Sequence, residues 1–571
     1  MADRHERLLQ GERQDRGRAR RTGGLLPLRS VHQGGGVTRP DPVQEAARPG
    51  TTGPRNVLFL LTDQHRADTL GCYGNPLART PHLDALAASG TRFERWYTPT
   101  AICTPARASV LTGAAPFRHR VLANFERNVG YQEDLPEGSF TFSRALREAG
   151  YRCALLGKWH AGTEKLRADY GFDGAELPGW HNPVDHPDYL AYLEERGLPP
   201  YEISDQMRGT LPNGGPGNLL AARLHQPLEA TFEHYLADRA IEQLRTYAST
   251  QSADGTPFYL ALHFFGPHLP YVVPDEYFDL VDPEQIELPA SIQETFAGKP
   301  PVQANYSAHW TFDTMSEAAS RKLIAVYQGY VTLIDEQIGR VLAEMEALGL
   351  TDSTAVMFSS DHGEFTGSHR LHDKGPAMYE DIYRTAGIIR VPGAPAGQVR
   401  SEFVSLLDTT ATVLDWCGLD PAPAVDSRSL LPLVRGEEVA WDEAIVCEFH
   451  GHHFPHPQRM LRTERYKLVV NPESVNELYD LELDPHELHN RYEHPEMRAV
   501  RERMLRDLYH RLRDRGDNFF HWMTSMYDIG RVDYDPSMSG LDEGTHRASG
   551  TDADPAAQPP SRGRAADPGK G

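Results

Sequence analysis

Short apolar runs alternate with stretches of helical period along most of the chain, the pattern of an α/β fold with a mainly parallel sheet flanked by helices. Four runs are strand candidates: "NVLFLL" (Asn56–Leu61), "YRCALL" (Tyr151–Leu156), "FYLALHFF" (Phe258–Phe265) and "TAVMFSS" (Thr354–Ser360). "TPHLDALAASG" predicts a helix with Thr80 as N-cap, Pro81 at the first helical position and Gly90 past the end. From Glu317 to Leu348, residues such as Leu323, Tyr327, Val331, Ile334, Ile338 and Val341 recur at helical spacing. That predicts a long helix covering the sheet. Residues Tyr170 to Gln226, rich in Gly, Pro, His and aromatics, read as irregular connections over one edge, where substrate selection is commonly placed. After about Glu437 the pattern changes. "AIVCEFHGH", "RMLRTERYKLVV" and "NELYDLELDP" predict hairpin strands of a smaller antiparallel sheet, closed by an amphipathic helix around Met497–Leu512. The expected organisation is an extension over 1–53, a large α/β domain over 54–436, an antiparallel subdomain over 437–533 and a tail over 534–571. Both ends are rich in Arg, Gly and Pro without hydrophobic period and read as disordered.

Composition narrows the partners. No apolar stretch is long enough to span a membrane, and "MADRHERLLQGERQDRGRARR" lacks the apolar region of a secretory signal. Five cysteines, few and widely spread, argue against a disulfide scaffold and for a reducing, cytoplasmic location. A formal net charge of -22 makes nucleic acid and anionic membrane poor partners. Such a protein binds an anion only through a local positive cluster or a metal.

The stretch "AICTPARASVLTG" (Ala101–Gly113) is one candidate for that cluster. Pro105 suits the first turn of a helix, Ala106, Ala108, Val110 and Leu111 continue it, and Gly113 stops it. Cys103 then lies just before the helix start, where free N–H groups and the helix dipole hold anions, with Arg107 adding a positive fork. A small buried cysteine before an ordinary helix is the competing reading. The four strand candidates also end in polar residues: Asp63 and Gln64; Lys158 and His160; His268; then Asp361, His362 and Lys374. Ligands in open α/β sheets bind outside the carboxyl ends of the strands. Asp63, Gln64 and Asp361 offer oxygen ligands to Ca²⁺ or Mg²⁺, and an imidazole from His362 raises the case for Mn²⁺. Arg107, Lys158 and Lys374 suit a substrate with several anionic oxygens. His160 and His268 titrate near neutrality, as proton transfer requires.

With these residues in view, the chain resembles the sulfatase family of the alkaline phosphatase-like superfamily. "CTPAR" matches the Cys-x-Pro-x-Arg core of its signature, and "TDQ", "GKWH", "PHLPY", "SDHGE", "DKG" and "ELYDLELDPHELHN" follow in the family order across Pro54 to Asp533. Asp63-Gln64 and Asp361-His362, in place of the commoner Asp-Asp and Asp-Asn, look like the bacterial branch near arylsulfatases and phosphonate monoester hydrolases. Ala106 stands where serine is commoner. The resemblance implies a sulfate ester substrate and one divalent cation, Ca²⁺ first and Mn²⁺ or Mg²⁺ as alternatives, on Asp63, Gln64, Cys103, Asp361 and His362. It implies Cys103 oxidised to formylglycine by a transiently bound generating enzyme, whose hydrated aldehyde attacks sulfur. By the same resemblance Arg107, Lys158 and Lys374 bind the sulfuryl group, His268 protonates the departing alcohol and His160 takes a proton to release sulfate. A phosphonate monoester or phosphodiester hydrolase on this fold is the alternative, and a non-catalytic anion-binding relic is another. A tyrosine-phosphatase loop is excluded, since three residues and not five separate Cys103 from Arg107.

Overall fold

The computed structural model describes residues 55–526 except 125–129, 178, 180, 422–425 and 473, so both expected extensions lie outside the described residues. In chain order the strands are β1 (Asn56–Thr62), β2 (Thr91–Tyr97), β3 (Arg152–Gly157), β4 (Ile203–Thr210), β5 (Pro216–Leu224), β6 (Phe258–His263) and β7 (Tyr271–Pro274). β8 (Thr354–Ser360), β9 (Arg384–Arg390), β10 (Gln398–Ser405), β11 (Ala444–Gly451), β12 (Pro455–Thr463), β13 (Tyr466–Val470) and β14 (Glu477–Asp480) follow. The central sheet has the order β10-β2-β9-β8-β1-β6-β3, and β9 alone runs against the others. The four predicted strands are β1, β3, β6 and β8, within two residues at each end.

Alternation along β1 explains the layers. Leu58 and Leu60 face a core filled by Leu236 and Leu244 of helix Phe232–Asp254 and by Val326 and Leu333 of helix Glu317–Ala347. Val57, Phe59 and Leu61 face the other core, with Val110, Leu111, Phe142 and Leu414. Both faces are covered, which is why these strands are apolar throughout. Four further strands, β11 to β14, form the expected antiparallel sheet, and helix Arg498–Arg515 packs on one face of it. Its other face, through Phe449, Met460, Val469 and Tyr479, shares a core with Tyr97, Ile102 and Tyr383. No helix among the described residues is long and apolar enough to cross a membrane.

The stretch Tyr170 to Gln226 departs from expectation. It contains helix Pro187–Arg196 and an antiparallel β4–β5 pair, to which β7 adds in parallel as a third sheet. β4 ("ISDQMRGT") has only one buried residue, so it carries no apolar run from which a strand could be read.

Candidate active site

Register sets the stage. Gly157 pairs with His263, His263 with Leu61, and Thr62 with Ser360, so β3, β6, β1 and β8 end level. Asp63, Lys158 and Asp361 are the next residues of three of these strands, and the fourth leads within five residues to His268. Backbone bonds past the strand ends hold the loops together: Asp63 N–H to Gly266 O, Asp361 N–H to Thr62 O, and Lys158 N–H to His263 O.

Helix Cys103–Thr112 approaches these ends, and all ten of its residues are buried. Cys103 is its first residue and not the residue before it, so Pro105 falls at the third position; Gly113 closes it at φ 68. A left-handed residue there favours glycine, as the sequence implied. Arg107, one turn on, is the central tie. Its Nη2 donates to Asp63 Oδ2 at 2.9 Å, its Nε to Asp361 Oδ2 at 2.8 Å, and its Nη1 to Lys158 O at 3.1 Å. Lys158 Nζ takes the same Asp63 oxygen at 2.8 Å. Burial pushes the Asp63 carboxyl up, but Lys158 and Arg107 outweigh it and hold it well below the usual range. Asp361 goes the other way: burial, then the charge of Asp63 beside it, raise it.

The Cys103 Sγ lies 3.2 Å from His362 Nε2 and 3.9 Å from Asp63 Oδ1. His362 Nδ1 is 2.9 Å from Gly363 O, which fixes that nitrogen as the donor and turns Nε2 inward. Burial opposes its charge, yet Asp361 and Cys103 raise it to about 9. Gln64 has φ 61, a conformation unusual for a side-chain-bearing residue, and is held there by its N–H to Asp361 Oδ1 and by Tyr327 Oη on its carbonyl. Its amide nitrogen bonds Glu364, and its Oε1 accepts from Lys374 Nζ at 2.9 Å. Lys374 also reaches Asp373 Oδ1 at 3.0 Å and His268 Nε2 at 2.7 Å. Because His268 Nδ1 donates to Leu269 O, its Nε2 carries the lone pair that meets Lys374. Burial, then Lys374, keep the His268 imidazole neutral to well below its ordinary range. Half-buried His160 stands two residues past Lys158 at φ 45; burial, then Lys158 and Arg107, depress it strongly too.

All ten sequence-predicted residues therefore meet at one sheet edge. The donor atoms of Asp63, Cys103, Asp361 and His362 lie within 4.8 Å of one another, fully buried. Two carboxylates forced together in a dry site, beside an imidazole nitrogen, are a donor set that a hard divalent cation fits and whose mutual repulsion it relieves.

Several supporting groups carried no signal in sequence. Glu364 accepts from the Thr366 and Asp373 N–H groups as well as from Gln64, and burial, then Asp373, raise it to about 7. His263 bonds Lys158 O and Arg107; Asn124 accepts from Thr104 N–H. His452, in the β11–β12 turn, bonds Tyr306 and sits close enough to Lys374 and His362 for their charges to act on it. Glu364 and Asp373 belong to the quoted motifs "SDHGE" and "DKG", which was the available hint; for His452 there was none.

Residues 55–419 match the sulfatase family, and residues 367–514 match the C-terminal region described as that of N-sulphoglucosamine sulphohydrolase. The sulfatase YidJ of Escherichia coli is 29% identical over 86% of this chain and 96% of its own. A choline-sulfatase of Rhizobium meliloti is 29% identical over 78% of this chain and 84% of its own. Among solved structures, the phosphonate monoester hydrolase of Silicibacter pomeroyi superposes with a TM-score of 0.68 at 26% identity, covering 80% of this chain and 95% of the other.

Proposed function

The chain belongs to the sulfatase family and is a sulfuric ester hydrolase, and from that premise we propose that it cleaves monoanionic sulfate esters at the Cys103 cluster. One observation carries the reading. Three cationic side chains, two carboxylates and two imidazoles, carried by the loops after four level strand ends and by one buried helix, converge around the Cys103 sulfur.

Asp63, Gln64, Asp361 and His362 would hold one divalent cation, Ca²⁺ first by donor type, which when bound withdraws charge from the sulfuryl oxygens and acidifies a neighbouring hydroxyl. Formylglycine at position 103, installed by a generating enzyme, would supply that hydroxyl as nucleophile; a thiol could not return to its resting state by expelling sulfate. Arg107 fixes the spacing of the two carboxylates. Lys158 and Lys374, pinned by Asp63 and Asp373, present ammonium groups to the sulfuryl oxygens without reorganising. His268 Nε2, a lone pair in the resting site, would take up a proton with Lys374 Nζ at 2.7 Å as its source and give it to the departing oxygen. His160, kept neutral by burial and then by Lys158 and Arg107, would accept a proton during release of sulfate. In this reading residues 54–436 carry the chemistry, and 437–533 form a subdomain that brings His452 to its edge. The other four cysteines, Cys72, Cys153, Cys417 and Cys447, are free thiols and fit a cytoplasmic setting.

The Asp-Gln and Asp-His pairs and the likeness to a phosphonate monoester hydrolase support a second reading, cleavage of phosphonate monoesters or phosphodiesters. The test is a panel of aryl sulfate, aryl phosphonate monoester, phosphodiester and phosphate monoester, run on protein made with a formylglycine-generating system. The aryl sulfate should give the highest kcat/KM, with the dianionic phosphate monoester poor. The Cys103 peptide should react with hydrazides, and Cys103→Ala should lose nearly all turnover. A wide margin for a phosphorus ester would replace the sulfatase reading. An intact thiol in fully active protein would remove the nucleophile, and no turnover of any ester would leave only an anion-binding relic.

A further inference from the structure

A cavity opens beside His268. It measures about 200 Å³, and its walls include Glu233, Asn182, Tyr201, Phe265 and Tyr330. In the proposed chemistry His268 serves the departing oxygen, so a cavity that His268 lines is placed to receive the alcohol half of the ester.

Its polarity is opposite to that of the sulfuryl cluster. Glu233, from the first turn of helix Phe232–Asp254, is 3% exposed. Its Oε1 accepts from Tyr330 Oη at 2.5 Å and from Asn182 Nδ2 at 2.8 Å. Among the described residues no lysine or arginine forms an ion pair with it. Neutral hydrogen bonds do not cancel a charge, and a buried carboxylate without a counter-ion costs several kcal/mol. Burial accordingly raises the Glu233 carboxyl. Asn182 Oδ1, buried beside it, has no hydrogen-bond donor among the described residues. The aromatic walls, Tyr201, Phe265 and Tyr330, are π-systems of the kind that attract cations. Carboxylate, amide oxygen and rings all call for positive charge; the cavity lining holds no lysine or arginine, and its basic groups are the imidazoles of His181 and His268. Clefts for drug-sized ligands run to about 300–1,000 Å³, so a cavity this small takes a short alcohol and not a sugar chain.

We propose that this cavity receives the alcohol half of the ester and selects a small ammonium-bearing alcohol, making the preferred substrate a zwitterionic sulfate monoester. The inference rests on the sulfatase reading for the position of the sulfate, and on Glu233 for the charge at the other end.

The test measures binding apart from turnover. Metal-loaded protein with Cys103 left as the thiol is titrated calorimetrically with 2-(trimethylammonio)ethyl sulfate and with 3,3-dimethylbutyl sulfate, in which carbon replaces the charged nitrogen. The charged ester should bind at least tenfold tighter, about 1.4 kcal/mol. Glu233→Gln should bring the ratio close to one. Tyr201→Leu, which keeps bulk and removes a π face, should lower it several-fold and serves if the buried Glu233 variant does not fold. Equal binding of the two esters, or an undiminished preference in both variants, overturns the proposal. The sulfatase reading fails separately: turnover of aryl sulfate without charge preference refutes the pocket alone. Preference for the charged ester without turnover of any sulfate refutes the chemistry and keeps the pocket.

Discussion

Arg107→Met removes the one side chain that binds both carboxylates of the site. The consequences are unequal. Asp63 keeps Lys158 Nζ at 2.8 Å, whereas Asp361 loses the guanidinium at 2.8 Å and keeps on Oδ1 only the N–H groups of Gln64 and His362, with the His362 ring 3.7 Å away. Removing one partner of a buried ion pair costs about 3–5 kcal/mol, because the remaining charge stays desolvated. With Asp63 still paired and Asp361 still hydrogen-bonded, the expected loss is about 3 kcal/mol, at the low end of that range. That is a large share of the roughly 5–15 kcal/mol by which proteins are stable, yet leaves a folded protein to measure. Urea unfolding followed by tryptophan fluorescence, in EDTA and in saturating Ca²⁺, reads both parts of the argument. In EDTA the midpoint of Arg107→Met should fall clearly below that of the wild type, and Arg107→Lys, which keeps the charge and loses the fork, should lie between them. Added Ca²⁺ should raise the midpoint of Arg107→Met more than that of the wild type, since a cation replaces the missing counter-charge. An EDTA midpoint unchanged by Arg107→Met, or a smaller Ca²⁺ effect in the variant, would refute the reasoning.

Lys374→Ala should lower kcat/KM for every accepted ester by on the order of a hundredfold, measured across the panel, as loss of transition-state charge stabilisation. Loss confined to one ester class would show that Lys374 contacts the alcohol instead. Asp335, in the long helix, accepts from the His82 and Leu83 N–H groups and so caps helix Pro81–Ser89 from a neighbouring element. Asp335→Ala should cost about 2 kcal/mol by leaving one buried and one half-buried donor unpaired, and thermal melts will show it. Burial raises the Asp335 carboxyl to about 7, whereas an unfolded aspartate titrates near 3.9, so the folded form binds the extra proton between these values. Its contribution is present below about pH 4 and is lost as pH rises through about 7. Asp335→Asn should therefore gain on the wild type between pH 5 and pH 8; a pH-independent difference would contradict the assignment.

What the sequence determined by itself is local. Apolar runs marked β1, β3, β6 and β8, a long helical period marked Glu317–Ala347, and Gly113 marked the end of the helix behind Cys103, because periodicity and backbone preference act over a few residues. Residue types also sorted the chemistry, and the family motifs named it. The tertiary structure alone decided strand order and register, and these bring Asp63, Lys158, His268 and Asp361 together from positions up to 298 apart. Sheet order is fixed by which faces are buried, a property no local pattern carries. For the same reason β4 stayed hidden, since an exposed strand has no apolar run. Glu233 was also invisible: in the sequence it is an ordinary acidic residue in the first turn of a helix, and only packing buries it in the cavity that His268 lines, with no lysine or arginine ion pair among the described residues.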